Sequence, residues 1–286
     1  MSLSRPLKQI RTAFRHPILV LSSIFLVFAI VCALAAPYVA PFDPNLQALE
    51  NRLAPPLMPR NGVSFLGADP LGRDILSRVI FGSRVSLAVA ASAVLLAGTI
   101  GVVLGLIAGL TDGPFGAAIM RVADIQFSVP TLVLALALVA VVGPGLLNII
   151  VVLGVSGWVP YARVMRAQVL VIKKQEYVEA ARALGASDLR VARRHVLPNA
   201  VGVVAVIAAV QMAHMMISEA SLSFLGLGVP PGTATWGAMI ADGRNYLYTA
   251  WWVSTFPGLT IVLVVVALNV VGDWLSDIAN PALRDW

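Results

Sequence analysis

Charged residues are scarce in this sequence, and their scarcity excludes an ordinary soluble domain. Only 12% of the 286 residues are charged, whereas 59% are hydrophobic, and the mean hydropathy is +0.88. A soluble globular domain usually carries about 25% charged residues. The composition therefore predicts a chain that lies mostly within a lipid bilayer.

Cysteine, phosphate-binding loops and clustered catalytic groups are also missing or rare. The single cysteine, Cys32, excludes an intrachain disulfide. No G-x-x-x-x-G-K-[ST] motif occurs, so ATP binding and hydrolysis by that route are not expected of this chain. His16, His195 and His214 are scattered, and the sequence contains no Ser/His/Asp arrangement and no metal-ligand cluster. We therefore expect no enzyme activity, no metal and no cofactor in this chain.

Uncharged hydrophobic runs indicate the membrane crossings. A helix needs about 20 mostly apolar residues to cross about 30 Å of hydrocarbon. The run over 125–162 is too long for one crossing, and it contains the turn signal Gly143-Pro144-Gly145. The sequence thus predicts an all-α integral membrane protein with six transmembrane helices. They are expected near 17–38, 85–110, 115–142, 146–169, 198–221 and 251–273.

The basic residues indicate the orientation, because Lys and Arg are retained on the cytoplasmic side. Most of the 20 Lys and Arg residues fall in segments that are cytoplasmic if the N-terminus is inside. Both termini are therefore predicted to be cytoplasmic, and the first apolar stretch is interpreted as an uncleaved anchor rather than a signal peptide. The net charge of +6 follows from this bias and does not indicate nucleic-acid binding. Arg121 and Asp124 lie three residues apart and are expected to neutralise each other.

The longest predicted cytoplasmic loop, residues 173–199, has the pattern of two short helices that meet at a glycine. Tyr177 and Leu184 recur at helical spacing and predict an apolar underside. Gly185 can end the first helix in the left-handed conformation, and Ser187 is a suitable N-cap for the second. We expect a compact elbow that binds a partner protein; an amphipathic loop resting on anionic lipid is the alternative. The candidate partner-binding residues are Glu176, Glu179, Ala180, Ala181, Arg182, Gly185 and Arg190.

This loop resembles a known motif. The spacing of Glu179-Ala180-Ala181, Gly185 and Leu197-Pro198 is similar to that of the EAA loop of bacterial ABC importer permeases. In that family the loop docks in a cleft of the cytoplasmic ATPase subunit. One position departs from the pattern, because His195 stands where the family usually has an aliphatic residue.

Two further segments resemble a narrower group, the second (C-type) permease subunit of dipeptide, oligopeptide and nickel importers. Segment 66–87 reads LGADPLGRDILSRVIFGSRVSL, similar to the group's pattern LGTDxLGRDxLSRxxxGxRxSL with Ala68 in place of Thr. Segment 219–231 reads EASLSFLGLGVPP and is followed by Trp236-Gly237. The resemblance implies the type I ABC importer permease fold. The implied domains are 1–83 (N-terminal arm, first transmembrane helix and outer loop with an interfacial helix), 84–273 (transmembrane domain of five helices) and 274–286 (cytoplasmic tail).

The resemblance also implies a function, that of a pore-forming permease subunit of an ATP-driven importer in the bacterial inner membrane. Implied partners are a second permease in a heterodimer, two ABC ATPase subunits or domains that hold ATP and Mg²⁺, and a periplasmic or lipid-anchored substrate-binding protein. Di- or oligopeptides are the expected substrates, with nickel complexes, opines, glutathione and oligosaccharides as alternatives. An ion-coupled secondary transporter is the alternative of another class, although the inverted repeats typical of that class are not visible.

Two structural predictions concern residues 69–84 and the second predicted span. Residues 69–84 are interpreted as a solvated helix at the outer interface, with Asp74 and Arg78 paired four residues apart. Gly101, Gly105 and Gly109 recur every fourth residue and predict the close approach of another helix, either from this chain or from the second permease.

Polar residues of the fifth span are candidates for the pore or a subunit interface. Glu219 is expected to face the pore or a neighbouring subunit, or else to serve as a structural cap near the headgroups. Gln211 and His214 are expected to line an aqueous path or to bridge to another helix, and the nearby methionines to pack rather than to bind a metal. Segment 222–250 is predicted to form an outer loop or scoop above the pore. Its interface aromatics are Trp236, Tyr246, Tyr248, Trp251 and Trp252.

Overall fold

The computed structural model describes residues 16–58, 62–63, 65–111, 113–230 and 232–279, and this part of the chain is helical. In chain order the helices are α1 (Pro17–Leu34), α2 (Ala36–Val39), α3 (Ile75–Leu110), α4 (Pro114–Phe127), α5 (Thr131–Val142), α6 (Leu146–Ser156), α7 (Trp158–Ile172), α8 (Glu176–Ala183), α9 (Asp188–Val191), α10 (Leu197–Phe224), α11 (Trp236–Gly243) and α12 (Trp252–Ala279). A π turn at Ala192–Val196 joins α9 to α10 without a break. Residues 280–286 of the predicted cytoplasmic tail lie outside the described residues.

Five helical stretches of the described chain are long and apolar enough to cross a membrane. A sixth crossing results if α4 and α5, which are bent by 91° relative to each other, count as one span. The five stretches are Pro17–Leu34, Ile75–Leu110, Leu146–Ile172, Asp188–Phe224 and Trp252–Ile278.

The bend between α4 and α5 corrects the prediction of one continuous helix over 115–142. Helix α4 ends at Phe127, and α5 begins only at Thr131. Pro130 has no backbone N–H to donate, and its ring disfavours the α conformation at the preceding residue, Val129. The chain therefore turns where the hydrophobic pattern alone predicts an uninterrupted span.

Hydrogen bonds and an ion pair fix this bend to the neighbouring helices. The side-chain amide of Gln126 donates to the carbonyl oxygen of Ser156 at 2.9 Å, and its oxygen accepts from the indole of Trp158 at 2.8 Å. Asp124 forms an ion pair with Arg163 at 2.8 Å, whereas the sequence predicted a pair with Arg121. The bend thus lies against the junction of α6 and α7.

Helix α3 packs against α7 along the glycine stripe. A Cβ atom at Gly101 would meet the carbonyl oxygen of Trp158, one at Gly105 that of Ala162, and one at Gly109 the Cβ of Val169. Only residues without side chains allow the two backbones to approach so closely. The partner helix of the stripe therefore lies in the same chain.

Helix α3 also begins earlier in the chain than the sequence predicted. It begins at Ile75 and runs without interruption to Leu110. Residues 75–84 are therefore the N-terminal part of a long helix, and not a separate solvated helix. Arg78 is buried in this segment, with only 2% of its surface exposed, whereas Arg84 is exposed.

The tight α3–α7 contact generates a prediction. Gly105→Ala should lower the melting temperature of the detergent-purified protein, because the new methyl group meets backbone atoms and overpacking costs about 1–3 kcal/mol. The matched control is Gly258→Ala in α12, where the added carbon would meet only Ile240 Cδ1 at 3.9 Å. That control should be neutral or stabilising, since alanine favours a helix by about 1 kcal/mol over glycine. Equal shifts in the two variants would contradict the close contact.

Candidate functional site

The loop between α7 and α10 forms an elbow of two short helices. Gly185 has φ +85° and ends α8. The N–H of Ala186 donates to the carbonyl of Ala181 at 3.0 Å, and that of Gly185 to Arg182 at 2.9 Å. This hydrogen-bond pair is the Schellman motif, which the left-handed glycine makes possible. Ser187 is the N-cap residue of α9, as its position in the sequence predicts.

The side of α8 that packs on the bundle differs from the predicted one. Val178, Val191 and Val196 are fully buried and join a cluster at the inner ends of α7 and α10. Tyr177 and Leu184, predicted to lie on the underside, are 48% and 88% exposed. Helix α8 has only two turns, so Val178 alone fills the space beneath it.

The face of the elbow that points away from the helix bundle carries most of the predicted partner-binding residues. Arg182 is occupied within the elbow, because its guanidinium pairs with Asp188 at 2.7 Å across the glycine hinge. The ring of Tyr177 lies 5.5 Å from that of His195, which ties α8 to the π turn. The exposed residues of the predicted set are Glu176, Glu179, Ala180, Gly185 and Arg190, and Ala181 is half-buried.

A polar cavity of about 180 Å³ lies inside the membrane-spanning region, beside the bend between α4 and α5. Gln211 and His214 of α10, the two predicted pore residues, both line it. The side-chain amide of Gln211 donates to the carbonyl of Gly157 at a distance of 3.5 Å. The other polar residues of its lining are Gln126, Thr131, Ser156 and Ser218.

Glu219 lies inside the chain, and not on a surface that could face a pore or a neighbouring subunit. It is 1% exposed, and one of its carboxylate oxygens accepts from the hydroxyl of Ser223 at 2.8 Å. The side chains of Thr235 and Ser86 lie close to its carboxylate. Glu219 therefore belongs to a buried polar cluster at the C-terminal end of α10.

A second cluster, buried except for one partly exposed aspartate, holds the N-terminal end of α3. Asp69 pairs with Arg73 at 2.6 Å and with Arg78 at 3.6 Å, and both arginines also contact Asp242 of α11 at 3.1 and 3.5 Å. Two arginines and two aspartates balance in charge. Burial raises the pKa of the Asp242 carboxyl above its usual value, although Arg78 and Arg73 oppose that shift. Asp242 could not be found from the local sequence, because it lies in another helix.

Asp74 has a different role from the predicted ion pair with Arg78. It is the N-cap residue of α3, and its carboxylate accepts from the backbone N–H of Ser77 at 2.8 Å and from the Ser77 hydroxyl at 2.6 Å. Ser77 in turn accepts from the backbone N–H of Phe42 at 3.0 Å. The charged motif of residues 69–78 thus anchors the outer loops instead of presenting charges to solvent.

The ion cluster generates a prediction. Asp69→Asn should destabilise the protein by about 3–5 kcal/mol, because it leaves Arg73 and Arg78 buried without a full countercharge. Asp43→Asn is the matched control, an exposed aspartate whose carboxylate accepts from the nearby N–H of Asn45. Thermal unfolding in detergent measures both. A melting temperature that falls no further for Asp69→Asn than for Asp43→Asn would contradict a structural role for the cluster.

Taken together, the apolar spans, the elbow between two of them and the cavity lined by polar and apolar residues are typical of a polytopic helical membrane protein of the transport permease class. The chain belongs to the family of binding-protein-dependent transport system inner membrane components, whose model matches residues 101–285. Residues 6–56 match the N-terminal transmembrane domain of oligopeptide transport permease C. The family consists of multi-pass inner-membrane permeases, and not of enzymes.

Similar proteins agree with this assignment. The di/tripeptide transport system permease protein DppC of Pseudomonas aeruginosa is 41% identical over 98% of this chain and 93% of its own length. The glutathione transport system permease protein GsiD of Pectobacterium atrosepticum is 38% identical over 96% of this chain and 90% of its own length. Among solved structures, a chain of the MetNI methionine ABC transporter matches with a TM-score of 0.57 and 20% identity, over 72% of this chain and 98% of that chain. That likeness shows a shared fold.

Proposed function

We propose that this chain is one of two pore-forming permease subunits of an ATP-driven importer, and that the elbow of residues 173–199 receives the motion of an ATPase subunit. The proposal rests on the exposed face of the elbow, which points away from the helix bundle. Leu184 and Tyr177 are exposed there beside Glu176 and Glu179, with Val178 anchoring the opposite face. Exposed apolar residues beside charged groups are typical of a surface that a partner protein covers.

The attachment of the elbow supports a role in transmission. Its buried valines pack with residues of α7 and α10, and the π turn continues directly into α10. A displacement of the elbow would therefore move α10, and α10 carries the cavity residues Gln211 and His214. Transport follows from alternating access, in which ATP and the loaded binding protein favour the same one of two states.

The proposal also assigns topology and partners. The bent pair α4 and α5 is taken as one crossing, so six spans leave both termini on the same side of the membrane. The distribution of Lys and Arg supports the cytoplasm as that side. ATP and Mg²⁺ belong to two ATPase subunits, a second and different permease completes the pore, and a periplasmic or lipid-anchored binding protein delivers the substrate.

Di- or oligopeptides are the proposed substrates. The relatives named above are a di/tripeptide permease and a glutathione permease. Both named substrates contain peptide bonds, and this shared chemistry favours peptides over nickel complexes, opines and oligosaccharides.

Coupling can be tested at the elbow. Glu179→Arg should weaken docking of the ATPase about ten- to a hundredfold, because a charge-assisted hydrogen bond is worth about 1.5–3 kcal/mol. ATP-driven peptide uptake into proteoliposomes containing all subunits should fall, and the melting temperature of the permease should stay unchanged. Glu50→Arg, another exposed glutamate far along the chain, is the matched control. Normal uptake and normal stimulated hydrolysis in Glu179→Arg would rule out the docking role.

Orientation can be tested with the elbow as well. In a Cys32→Ser background the chain has no other cysteine, so Leu184→Cys carries one exposed thiol. A membrane-impermeant maleimide should label this thiol in inside-out vesicles and not in right-side-out spheroplasts. Leu49→Cys, exposed in the outer loop, should show the opposite pattern. Labelling of Leu184→Cys from outside would place the elbow on the wrong side of the membrane for an ATPase.

A further inference from the structure

The cavity beside the bend is lined by polar and apolar residues and carries no fixed charge. Six of its residues have hydrogen-bonding side chains, and no Asp, Glu, Lys or Arg lines it. His214 is its one titratable group. The remaining walls are apolar and come from residues such as Phe127, Leu134 and Met215. Such a site can bind a neutral polar group between apolar walls.

Some of these polar groups are already used by the fold, and others are available. Both ends of the Gln126 side chain are occupied by Ser156 and Trp158. By contrast, the hydroxyl of Ser156 is buried and has no hydrogen-bond partner within the described part of the chain. Gln211 makes one long hydrogen bond of 3.5 Å. A buried hydroxyl without a partner is costly, and its presence at a cavity points to a ligand or to water.

The position of these groups on α10 supports the same conclusion. Gln211, His214 and Ser218 are spaced three and four residues apart and therefore lie on one face of the helix. Only 22% of the most apolar 18 residues of this helical stretch are buried by other parts of the same chain. A polar face would be unfavourable against lipid, so it must face water, a ligand or another subunit.

We infer that the cavity is a transit site that binds the uncharged peptide group of the substrate, with Ser156, Gln211 and Ser218 as its hydrogen-bonding residues. A peptide group presents one donor and one acceptor, and the amide of Gln211 can satisfy both. A carboxylate or an ammonium group would lack a countercharge in this cavity and would bind poorly. The apolar walls accept side chains of various shapes, because methionine adapts its conformation. This inference rests on the proposed function as a peptide importer.

Cysteine protection tests the site in the complete transporter, with the second permease, the ATPases and the binding protein in proteoliposomes. In the Cys32→Ser background, Ser218→Cys should react with a small methanethiosulfonate reagent. Dialanine supplied with its binding protein and ATP should slow this reaction severalfold. Ser221→Cys, one turn further on α10, is the matched control, because the Ser221 hydroxyl bonds to Ile217 and lies outside the cavity lining. Its reaction rate should not depend on the dipeptide.

Three results would overturn the inference. The first is an unreactive Ser218→Cys, which would mean that the cavity is closed to water. The second is a Ser218→Cys rate that is the same with and without dialanine. The third is equal protection of Ser218→Cys and Ser221→Cys, which would indicate a general conformational change instead of local binding.

A second measurement tests recognition of the peptide group itself. Translocation of dialanine is compared with that of its analogue with an N-methylated peptide bond, each at a concentration that saturates the binding protein. The wild type should move dialanine faster, Gln211→Leu should lose this preference, and Gln211→Asn should regain part of it. Met212→Leu, beside Gln211 in the sequence, should keep it. A wild type without preference, or a Gln211→Leu variant that retains it, would overturn the transit site.

Failure of the inference can be distinguished from failure of the proposed function. If the wild-type transporter takes up no peptide in an ATP-dependent way, the proposed function fails, and the transit site fails with it. If uptake is normal but neither protection nor preference is observed, only the transit site is lost.

Discussion

Hydrocarbon offers no hydrogen-bond partners, so every place where the backbone of this protein leaves helical geometry must be satisfied from within the chain. Buried polar side chains lie at such places. Gln126 bonds to a carbonyl at the junction of α6 and α7, and Asp69 accepts from the backbone N–H groups of Leu71 and Arg73. Glu219 accepts from the hydroxyl of Ser223 at the C-terminal end of α10. The irregular segments of this membrane protein are therefore fixed in position, and they can support a site.

A continuous helix connects the elbow to the cavity. The π turn of residues 192–196 keeps the helix continuous, so α9, the turn and α10 form one mechanical element. Val178 fixes the other arm of the elbow to the inner ends of α7 and α10. A force on the elbow would thus be transmitted as a movement of whole helices, because a close-packed core does not deform continuously.

The sequence predicted the features that depend on local pattern and missed those that depend on distant contacts. Apolar runs located the long helices, and Gly185 located the turn of the elbow. Pro130 is a local signal for the bend, but the uncharged residues on both sides of it predict one continuous span. The partner of Arg78, Asp242, comes from a helix far along the chain, and no periodicity links the two. For this reason residues 69–78, although correctly recognised as a motif, were interpreted as a solvated surface. The exposure of Leu184 was missed for a related reason, since helical spacing shows which residues share a face and not which face is covered.

Two positions at which this chain departs from its family's patterns, Ala68 and His195, can be explained from their contacts. Ala68 stands in place of a threonine, and it is its backbone carbonyl that accepts a hydrogen bond from the indole of Trp252 at 3.2 Å; any residue that fits the space can supply that carbonyl. His195 replaces an aliphatic residue, yet the neighbouring Val196 remains fully buried and His195 packs its ring against Tyr177. Where a side chain itself makes the bond, as at Asp69, Arg73 and Asp74, this chain keeps the residue of the pattern. At position 68 the interacting atom belongs to the backbone, so alanine supplies it as well as threonine does.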